Sequence, residues 1–305
     1  MRFFLGVHNS AWLDRTDVPL FVSRSALKRT KSSFNRARGP WALDSGGFTE
    51  IATHGRWTVT PQDYAQEVRL WQREVGNLQW VSAMDWMCEP PMLLRSLLAD
   101  GLVDLELKKS DKRPLIDRIV SKYGRISERF ENKELLRQRV CVHQQRTIDN
   151  LLTLREIAPD VPWIPVLQGW RPQDYLAHAD AYMRAGVNLT AEPTVGLGSV
   201  CRRDKLDDAR IVIQALSGSP LRLRLHGFGL KKSAFRDPVI VNGLESSDSL
   251  AWSKEGFLEH YRRGKNLCGR KHQGGCQNCL DWALVWRKQV ERQWRKTERE
   301  HEESE

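Results

Sequence analysis

The feature that most constrains this chain is a series of short apolar runs, each ending in a small or chemically active residue. Pro40-Trp-Ala-Leu-Asp44 leads into Ser45-Gly46-Gly47, and Leu78-Gln-Trp-Val-Ser-Ala-Met84 ends at Asp85. Trp163-Ile-Pro-Val-Leu167 ends at Gln168-Gly169, and Val187-Asn-Leu-Thr-Ala191 leads to Glu192 and the Gly196-Leu197-Gly198 turn. Leu221-Arg-Leu-Arg-Leu225 ends at His226-Gly227. Runs of this length and content read as strands with functional C-terminal tips. Helical stretches lie between them. Thr60-Pro61-Gln62-Asp63 has the form of an N-cap followed by Pro at the first helical position, opening a helix through Trp71. Arg171-Pro-Gln-Asp174 opens a second helix, running toward Met183 and ending near Gly186. Strand and helix in alternation over this length predict a parallel α/β barrel or a doubly wound sheet. In barrels the active site lies at the C-terminal ends of the strands, where these polar residues fall.

The chain has 305 residues, enough for one large barrel or two small domains. With 40% hydrophobic and 28% charged residues it can bury a sizeable core, which excludes a disordered chain. No apolar run approaches the ~20 residues of a membrane helix. The first residues reach His8, Asn9 and Asp14 without the apolar stretch of a secretory leader, so no membrane partner and a cytoplasmic address are expected. A formal net charge of +10 favours polyanionic partners. Residues 101–150 are rich in Lys, Arg and Glu and read as a solvated, helical insertion. From Trp282 onward the chain becomes highly charged and reads as a helix that frays toward its end.

Three of the six cysteines crowd together in Cys268-x3-His272-x3-Cys276-x2-Cys279. Zinc takes four N or S ligands in a tetrahedron, and a short Cys-x2-Cys turn supplies two of them. Interleaved Gly269, Gly274 and Gly275 let the backbone curl around an ion. Four protein ligands close the coordination sphere, so the expected metal is structural. His272 is the expected fourth ligand, with His260 and His301 as alternatives. The expected organisation is a (β/α)8 TIM-type barrel over residues 1–260, followed by a zinc-binding subdomain and charged helix over 261–305.

Singly, Asp44, Asp85 and Asp248 are no more than turn or cap aspartates. In order with their neighbours, they resemble one family. Asp44-Ser-Gly-Gly-Phe48, Met84-Asp-Trp-Met-Cys88, Val166-Leu-Gln-Gly169, Val195-Gly-Leu-Gly-Ser-Val-Cys-Arg-Arg203, Leu225-His-Gly-Phe-Gly229, Gly243-Leu-Glu-Ser-Ser-Asp248 and the cysteine cluster span roughly residues 40–290. The chain thereby resembles the queuine tRNA-ribosyltransferases, also called tRNA-guanine transglycosylases, and most closely their branch that inserts 7-deazaguanines into DNA. Glu245 stands where the family usually has Asp. Ser249-Leu-Ala-Trp252 replaces a Pro-Thr-Arg stretch, and the family's zinc histidine usually lies beyond the last cysteine.

The resemblance implies an exchange of guanine for a free 7-deazaguanine base in a nucleic acid. Asp248 matches the nucleophile and Asp44 the general acid/base. Asp85 matches the reader of the guanine edge. Gln168, Gly169 and Gly196 match base-contacting positions, and Leu197 carries the backbone facing the 7-substituent. Breaking a glycosidic bond builds positive charge at C1′, which a carboxylate can trap covalently. A second carboxylate can pass a proton to the leaving base and take one from the incoming base. Asp85 can accept from guanine N1–H and N2–H₂, a pattern adenine lacks. Trp86, Trp170 and Trp252 neighbour these motifs and either cover a flipped base or fill the core. Arg202, Arg203 and Lys231 are candidate phosphate contacts, with Lys232 beside them. The short chain and the branch resemblance favour DNA as the polymer, with tRNA as the alternative. A zinc-containing nucleic-acid-binding protein without activity is a second alternative, and a homodimer is compatible with the sequence.

Overall fold

The structure is a computed structural model that describes residues 1–30, 33–107, 111–123, 133–200, 206–270 and 275–303. Its strands are β1 (Arg2–Val7), β2 (Leu20–Ser23), β3 (Trp41–Asp44), β4 (Leu78–Ser82), β5 (Trp163–Ile164), β6 (Val166–Leu167), β7 (Val195–Leu197), β8 (Leu225–Gly227) and β9 (Ser246–Ser249). The α-helices are α1 (Arg24–Lys28), α2 (Gly47–His54), α3 (Pro61–Val75), α4 (Pro90–Ala99), α5 (Leu115–Tyr123), α6 (Lys133–Ile157), α7 (Pro172–Arg184), α8 (Leu206–Ser217), α9 (Pro238–Asn242), α10 (Ala251–Arg263) and α11 (Leu280–Glu302).

The strands follow the order β5-β4-β3-β2-β1-β9-β8-β7-β6, and β1–β2, β1–β9, β4–β5, β6–β7 and β8–β9 all pair in parallel. The two ends of that order are halves of one extended run. Pro165 separates them because it has no N–H to give to a ladder. Before it, Trp163 and Ile164 pair with Val81 and Ser82, and after it, Val166 and Leu167 pair with Gly196 and Leu197. Counted as one broken strand, they leave eight strands whose neighbours follow chain order. The fold is therefore of the α/β, (β/α)8 TIM type that the strand–helix alternation predicts.

Cα packing divides the described chain into two compact units. One comprises Met1–Leu43, Trp71–Gln79 and Val200–Glu305, and the other Asp44–Leu70 and Trp80–Ser199. In the first, β9 lies between β1 and β8. Phe3 on β1 meets Phe235, Trp286 and Trp294 at ring-centroid distances of 5.6, 6.2 and 6.2 Å. Trp282, Trp286, Val290 and Trp294 recur every fourth residue, forming the buried stripe of α11. That stripe keeps the charged C-terminus helical through Glu302, so the helix continues where the sequence predicts fraying. In the second unit, α3 opens with the expected cap. The Thr60 hydroxyl accepts the Asp63 N–H at 3.1 Å, and the Asp63 carboxylate accepts the Thr60 N–H at 3.2 Å.

Two predicted strands differ. Val187–Ala191 is a turn, because the Asn188 side-chain oxygen accepts from both the N–H and the hydroxyl of Thr190. The strand begins instead at Val195. Of Leu221–Leu225 only Leu225 is in a strand, since Arg222 adopts a left-handed φ of 45° that interrupts extended backbone. The 101–150 segment is also more than a solvated insertion. Its helix α6 buries Arg139, Val140, His143, Gln144, Thr147 and Ile148. Among the described residues, no helix is long and apolar enough to cross a membrane.

β1 and β9 approach so closely that a Cβ on Gly6 would lie 2.8 Å from the Ser249 carbonyl carbon and oxygen. Backbone cannot yield there as a side-chain tip can, so Gly6→Ala is expected to destabilise by about 1–3 kcal/mol. Chemical denaturation measures this. A stability equal to that of the unsubstituted protein would contradict the β1–β9 register.

Candidate functional site

In the Asp44–Leu70/Trp80–Ser199 unit, two strand ends bring polar residues to Asp85. The Asp85 carboxylate is 8% exposed. Its Oδ1 accepts the Ser45 hydroxyl at 3.0 Å, and its Oδ2 accepts the Gln168 side-chain amide at 2.5 Å. Burial raises its pKa to about 6, with Glu89's charge a smaller cause in the same direction and the Ser45 and Gln168 bonds acting against it. Ser45 is itself placed by its backbone N–H, which donates to the Ser82 hydroxyl at 2.8 Å. Asp44 precedes it at the end of β3 and is half-buried, with Oδ1 accepting the Gly46 N–H at 3.1 Å.

Gln168 is fully buried. Its backbone N–H donates to His178 Nδ1 at 2.9 Å, and its carbonyl accepts the Gln144 amide at 2.7 Å. Burial lowers the pKa of His178 to about 3, so its ring is neutral and serves as that acceptor. Gly169 packs against Tyr175 and Asp174. Gly196 donates its N–H to the Pro165 carbonyl at 2.8 Å, and Leu197 is buried in register with Leu167. A Cβ on Gly198 would sit 2.2 Å from Gln168 Nε2, so only glycine lets this backbone lie against the amide.

The loop carrying Asp85 is held from behind by α6, whose role is absent from the sequence reading. The Thr147 hydroxyl accepts the Trp86 N–H at 2.9 Å and donates to the His143 carbonyl at 2.8 Å. His143 Nδ1–H donates to the Met87 carbonyl at 2.7 Å, and Asn150 donates to the Met84 carbonyl at 2.7 Å. Burial lowers the His143 pKa to about 3, which keeps Nε2 as an acceptor for Ser96. The signal available in the sequence is the spacing of His143, Thr147 and Asn150, which share one helical face.

In the Met1–Leu43/Trp71–Gln79/Val200–Glu305 unit, Asp248 lies near the C-terminal end of β9 and is 5% exposed. Its Oδ1 accepts the Gly229 N–H at 2.8 Å and lies 3.3 Å from His226 Nε2. The Ser246 hydroxyl lies 2.8 Å from His226 Nδ1. With Nε2 carrying the proton toward Asp248, Nδ1 accepts from Ser246. Phe4, Phe21 and Phe228 surround the imidazole at 5.7, 5.6 and 5.0 Å. Lys231 is exposed, whereas Lys232 is drawn to Gln289 at 2.7 Å. Arg202 and Arg203 lie outside the described residues.

The tryptophans divide. Trp252 is fully buried, its ring centroid 5.1 Å from that of Trp12 and its Nε1–H donating to the Gly6 carbonyl at 2.8 Å. Trp86 is buried against His143 and Arg146. Both are core residues, and Trp170 remains half-buried.

The Sγ atoms of Cys268, Cys276 and Cys279 all lie within 4.8 Å of one another. Cys268 N–H donates to Cys276 Sγ and Arg270 N–H to Cys268 Sγ, each at 3.4 Å. Burial first, and then the neighbouring Cys268 and Cys279, push the Cys276 thiol up to about 11, a cost that a bound cation offsets. The donor set therefore fits a metal. His272 lies outside the described residues. His301 is on α11, 22 residues beyond Cys279 (301 − 279), and the helical rise places it about 33 Å along the axis, beyond coordination. His260 packs against Gly275, where an added Cβ would lie 2.7 Å from its Cγ.

A family model described as DpdA, deoxypurine in DNA protein A, matches residues 1–126 and 135–302. No curated protein matches the chain.

Replacing Thr147 by Val keeps its shape but leaves the buried Trp86 N–H unpaired. We expect a loss of about 1–3 kcal/mol, restored largely by Thr147→Ser. Equal stability of the Val and Ser variants would remove α6 as the support of the Asp85 loop.

Proposed function

Because the chain belongs to the DpdA family, we propose that it exchanges a guanine base in DNA for a 7-deazaguanine base through a covalent aspartyl intermediate. The observation that carries this reading is the Asp248 carboxylate, buried near a strand's C-terminal end and held, among the described residues, through one oxygen. Gly229 and His226 both approach Oδ1. Oδ2 is then the oxygen that attacks C1′, while the held oxygen fixes the direction of attack. Glu245 is a poorer nucleophile candidate, because it is exposed and precedes β9 at the strand's N-terminal end.

Asp44 is the general acid/base in this reading. It protonates the departing guanine and takes a proton from the incoming base. Asp85 accepts from the N1–H and N2–H₂ edge common to both bases, while Gln168, Gly169, Gly196 and Leu197 line the base position. His226 orients Asp248 and is the residue that we add to those expected from sequence. Arg202, Arg203 and Lys231 are proposed for phosphate contact, in keeping with the net charge of +10.

Zinc is proposed as a structural ion on Cys268, Cys276, Cys279 and a histidine. His272 is the ligand expected from sequence, and the packing of His260 beside Gly275 supports His260 as its rival. His260 Nδ1 lies 3.1 Å from Asn266 Oδ1, and donation along that contact leaves the lone pair on Nε2. Purified protein should hold about one zinc per chain. Cys276→Ser should hold less than half as much and melt at a lower temperature. Full zinc in that variant would overturn the assignment.

The catalytic reading is tested with DNA and a labelled base. Asp248→Asn keeps the side chain's size but removes the attacking charge, so exchange should fall by three orders of magnitude or more, roughly the scale of losing a nucleophile, while DNA binding stays nearly intact. Asp44→Asn should slow exchange and let a covalent DNA adduct accumulate on denaturing gels. An adduct formed by Asp248→Asn but absent in Glu245→Gln would reassign the nucleophile. Normal exchange in every variant, or exchange on tRNA alone, would defeat the proposal.

A further inference from the structure

Helix α10 leaves β9 just after Asp248, and one of its faces breaks the local rules that stabilise a helix. Its N-cap is Leu250, a residue with no side-chain acceptor to give the first turn, and it is 42% exposed. Lys254 follows at the end of that turn, on the side of the helix dipole that disfavours a cation. Phe257 and Tyr261 come next, 45% and 79% exposed. At the helical repeat, Leu250, Lys254, Phe257 and Tyr261 fall within an arc of about 60°. Apolar rings and a cation set against the dipole gain the fold little, and such conflicts with local preference gather at functional surfaces.

The other sides of α10 are occupied by the protein itself. Trp252 and Gly256 are buried. A Cβ on Gly256 would lie 2.7 Å from the Cys276 carbonyl carbon, and the Ser253 hydroxyl donates to the Gln277 carbonyl at 2.8 Å. The Gly275–Asn278 turn therefore covers that side, with His260 packed against Gly275. The two carboxylates of the helix point elsewhere again. Glu255 accepts the Trp286 Nε1–H at 2.7 Å and lies 3.8 Å from Lys232, and Glu259 pairs with Arg263 at 3.0 Å. Both lie about 100° or more around the helix from the stripe. On the stripe, Phe257 and Tyr261 stack with centroids 6.1 Å apart and planes 16° apart. One face of the Tyr261 ring rests on Phe257, and its exposure leaves the other face to solvent.

We propose that this stripe is the track for an unpaired DNA strand beside the target nucleotide, with a flanking base stacked on Tyr261 and phosphates met by Lys254 and Lys265. The inference rests on the reading of Asp248 as the residue that exchanges bases in DNA, and it adds the state of the polymer, which is single-stranded along α10.

Position and charge both favour DNA over a second copy of the chain. The stripe begins at Leu250, two residues after Asp248 (250 − 248), and reaches Tyr261 after 11 more (261 − 250), about 17 Å of helix. At about 3.4 Å per stacked nucleotide, that length matches about five nucleotides. Taking a target base out of its stack opens the duplex around it. Bases freed there present ring faces that a paired duplex keeps covered, and an aromatic ring accepts such a face whatever the base. Lys254, Arg262, Arg263 and Lys265 outnumber Glu255 and Glu259 along this segment, and the chain carries a net charge of +10. Those charges attract phosphate and oppose the approach of an identical surface.

Fluorescence anisotropy on the intact protein tests the track, with labelled single-stranded oligothymidine of about 16 nucleotides as the probe. Tyr261→Ala should weaken binding about tenfold, within the range for losing one stacked base, while Tyr261→Phe keeps the ring and should bind as the wild type does. Melting temperatures should stay unchanged, because Tyr261 is exposed. Lys254→Ala should lower the slope of log affinity against log salt by about 0.7, the share of one phosphate on a single strand. The same oligonucleotide carrying 5-iodouracil should photocrosslink to the peptide that contains Tyr261. Full affinity in Tyr261→Ala, an equal loss in Tyr261→Phe, an unchanged salt slope in Lys254→Ala or crosslinks confined to peptides outside α10 would each overturn the proposal. A Tyr261→Ala variant whose one change is a dimer lost in sedimentation overturns it too, and makes the stripe a contact between copies of the chain.

Base exchange separates this inference from the reading on which it rests. A wild type that binds the oligonucleotide through Tyr261 yet exchanges no base in DNA overturns the transglycosylase reading and supports the track. Normal exchange by the wild type, with undiminished DNA binding by Tyr261→Ala, overturns the track and leaves the role of Asp248 standing.

Discussion

The parallel ladder is the constraint on which the remaining structure depends. Parallel pairing requires every strand to leave the sheet in the same direction, so residues placed at strand ends in sequence gather at one edge in space. Within one unit, the pairing of β4 with β5 and of β6 with β7 brings the segments that carry Asp85, Gln168 and Ser199 within hydrogen-bond reach of each other. Within the other, β9 between β1 and β8 brings Asp248 to His226 and Gly229. Pro165 shows how strict the constraint is. One residue without an N–H divides a strand, yet each half still finds its own neighbour, and the Pro165 carbonyl still accepts the Gly196 N–H.

Burying a carboxylate such as Asp85 costs free energy unless donors meet it. Ser45 and Gln168 supply those donors, but each has to be held as firmly as the group it serves. Ser82 fixes Ser45 through its backbone, and His178 and Gln144 fix Gln168 at its N–H and carbonyl. Neutral histidines suit this work, since burial removes their charge and leaves one donor and one acceptor in fixed places. The long helix α6 completes the support by binding the backbone on either side of Asp85.

What could be read from the sequence follows from how local each signal is. Strand tips such as Asp44, Asp85 and Gln168 announce themselves because an apolar run stops there, and Thr60-Pro61 announces a cap. The cysteine trio is legible because its ligands are close in sequence. Val187–Ala191 misleads, because its apolar content matches a strand while Asn188 imposes a turn. The buried roles of α6 are hidden by its charged exterior. His143, Thr147 and Asn150 look like solvated residues until their common face is seen against the Asp85 loop. Glu89 and Ser199 are harder still, being 110 residues apart and meeting only where the fold sets Ser199 against both Glu89 and Gln168.

Asp248 and Asp85 show how one side-chain type is placed in two different hydrogen-bonding environments. Among the described residues, Asp248 is held through Oδ1, by a backbone N–H and a histidine whose other nitrogen is taken by Ser246. That arrangement suits the nucleophilic role proposed for Asp248, because a fixed oxygen sets the direction of the carboxylate. Asp85 has a donor on each oxygen, Ser45 on one and Gln168 on the other. Its lone pairs are thus aimed and its charge is spread, which suits the acceptance of hydrogen bonds and makes it a poor nucleophile. The asymmetry follows from the neighbours. Glycine and histidine converge on one oxygen of Asp248, whereas serine and glutamine flank Asp85. The chemistry assigned to each aspartate therefore rests on the donors that its strand neighbours present.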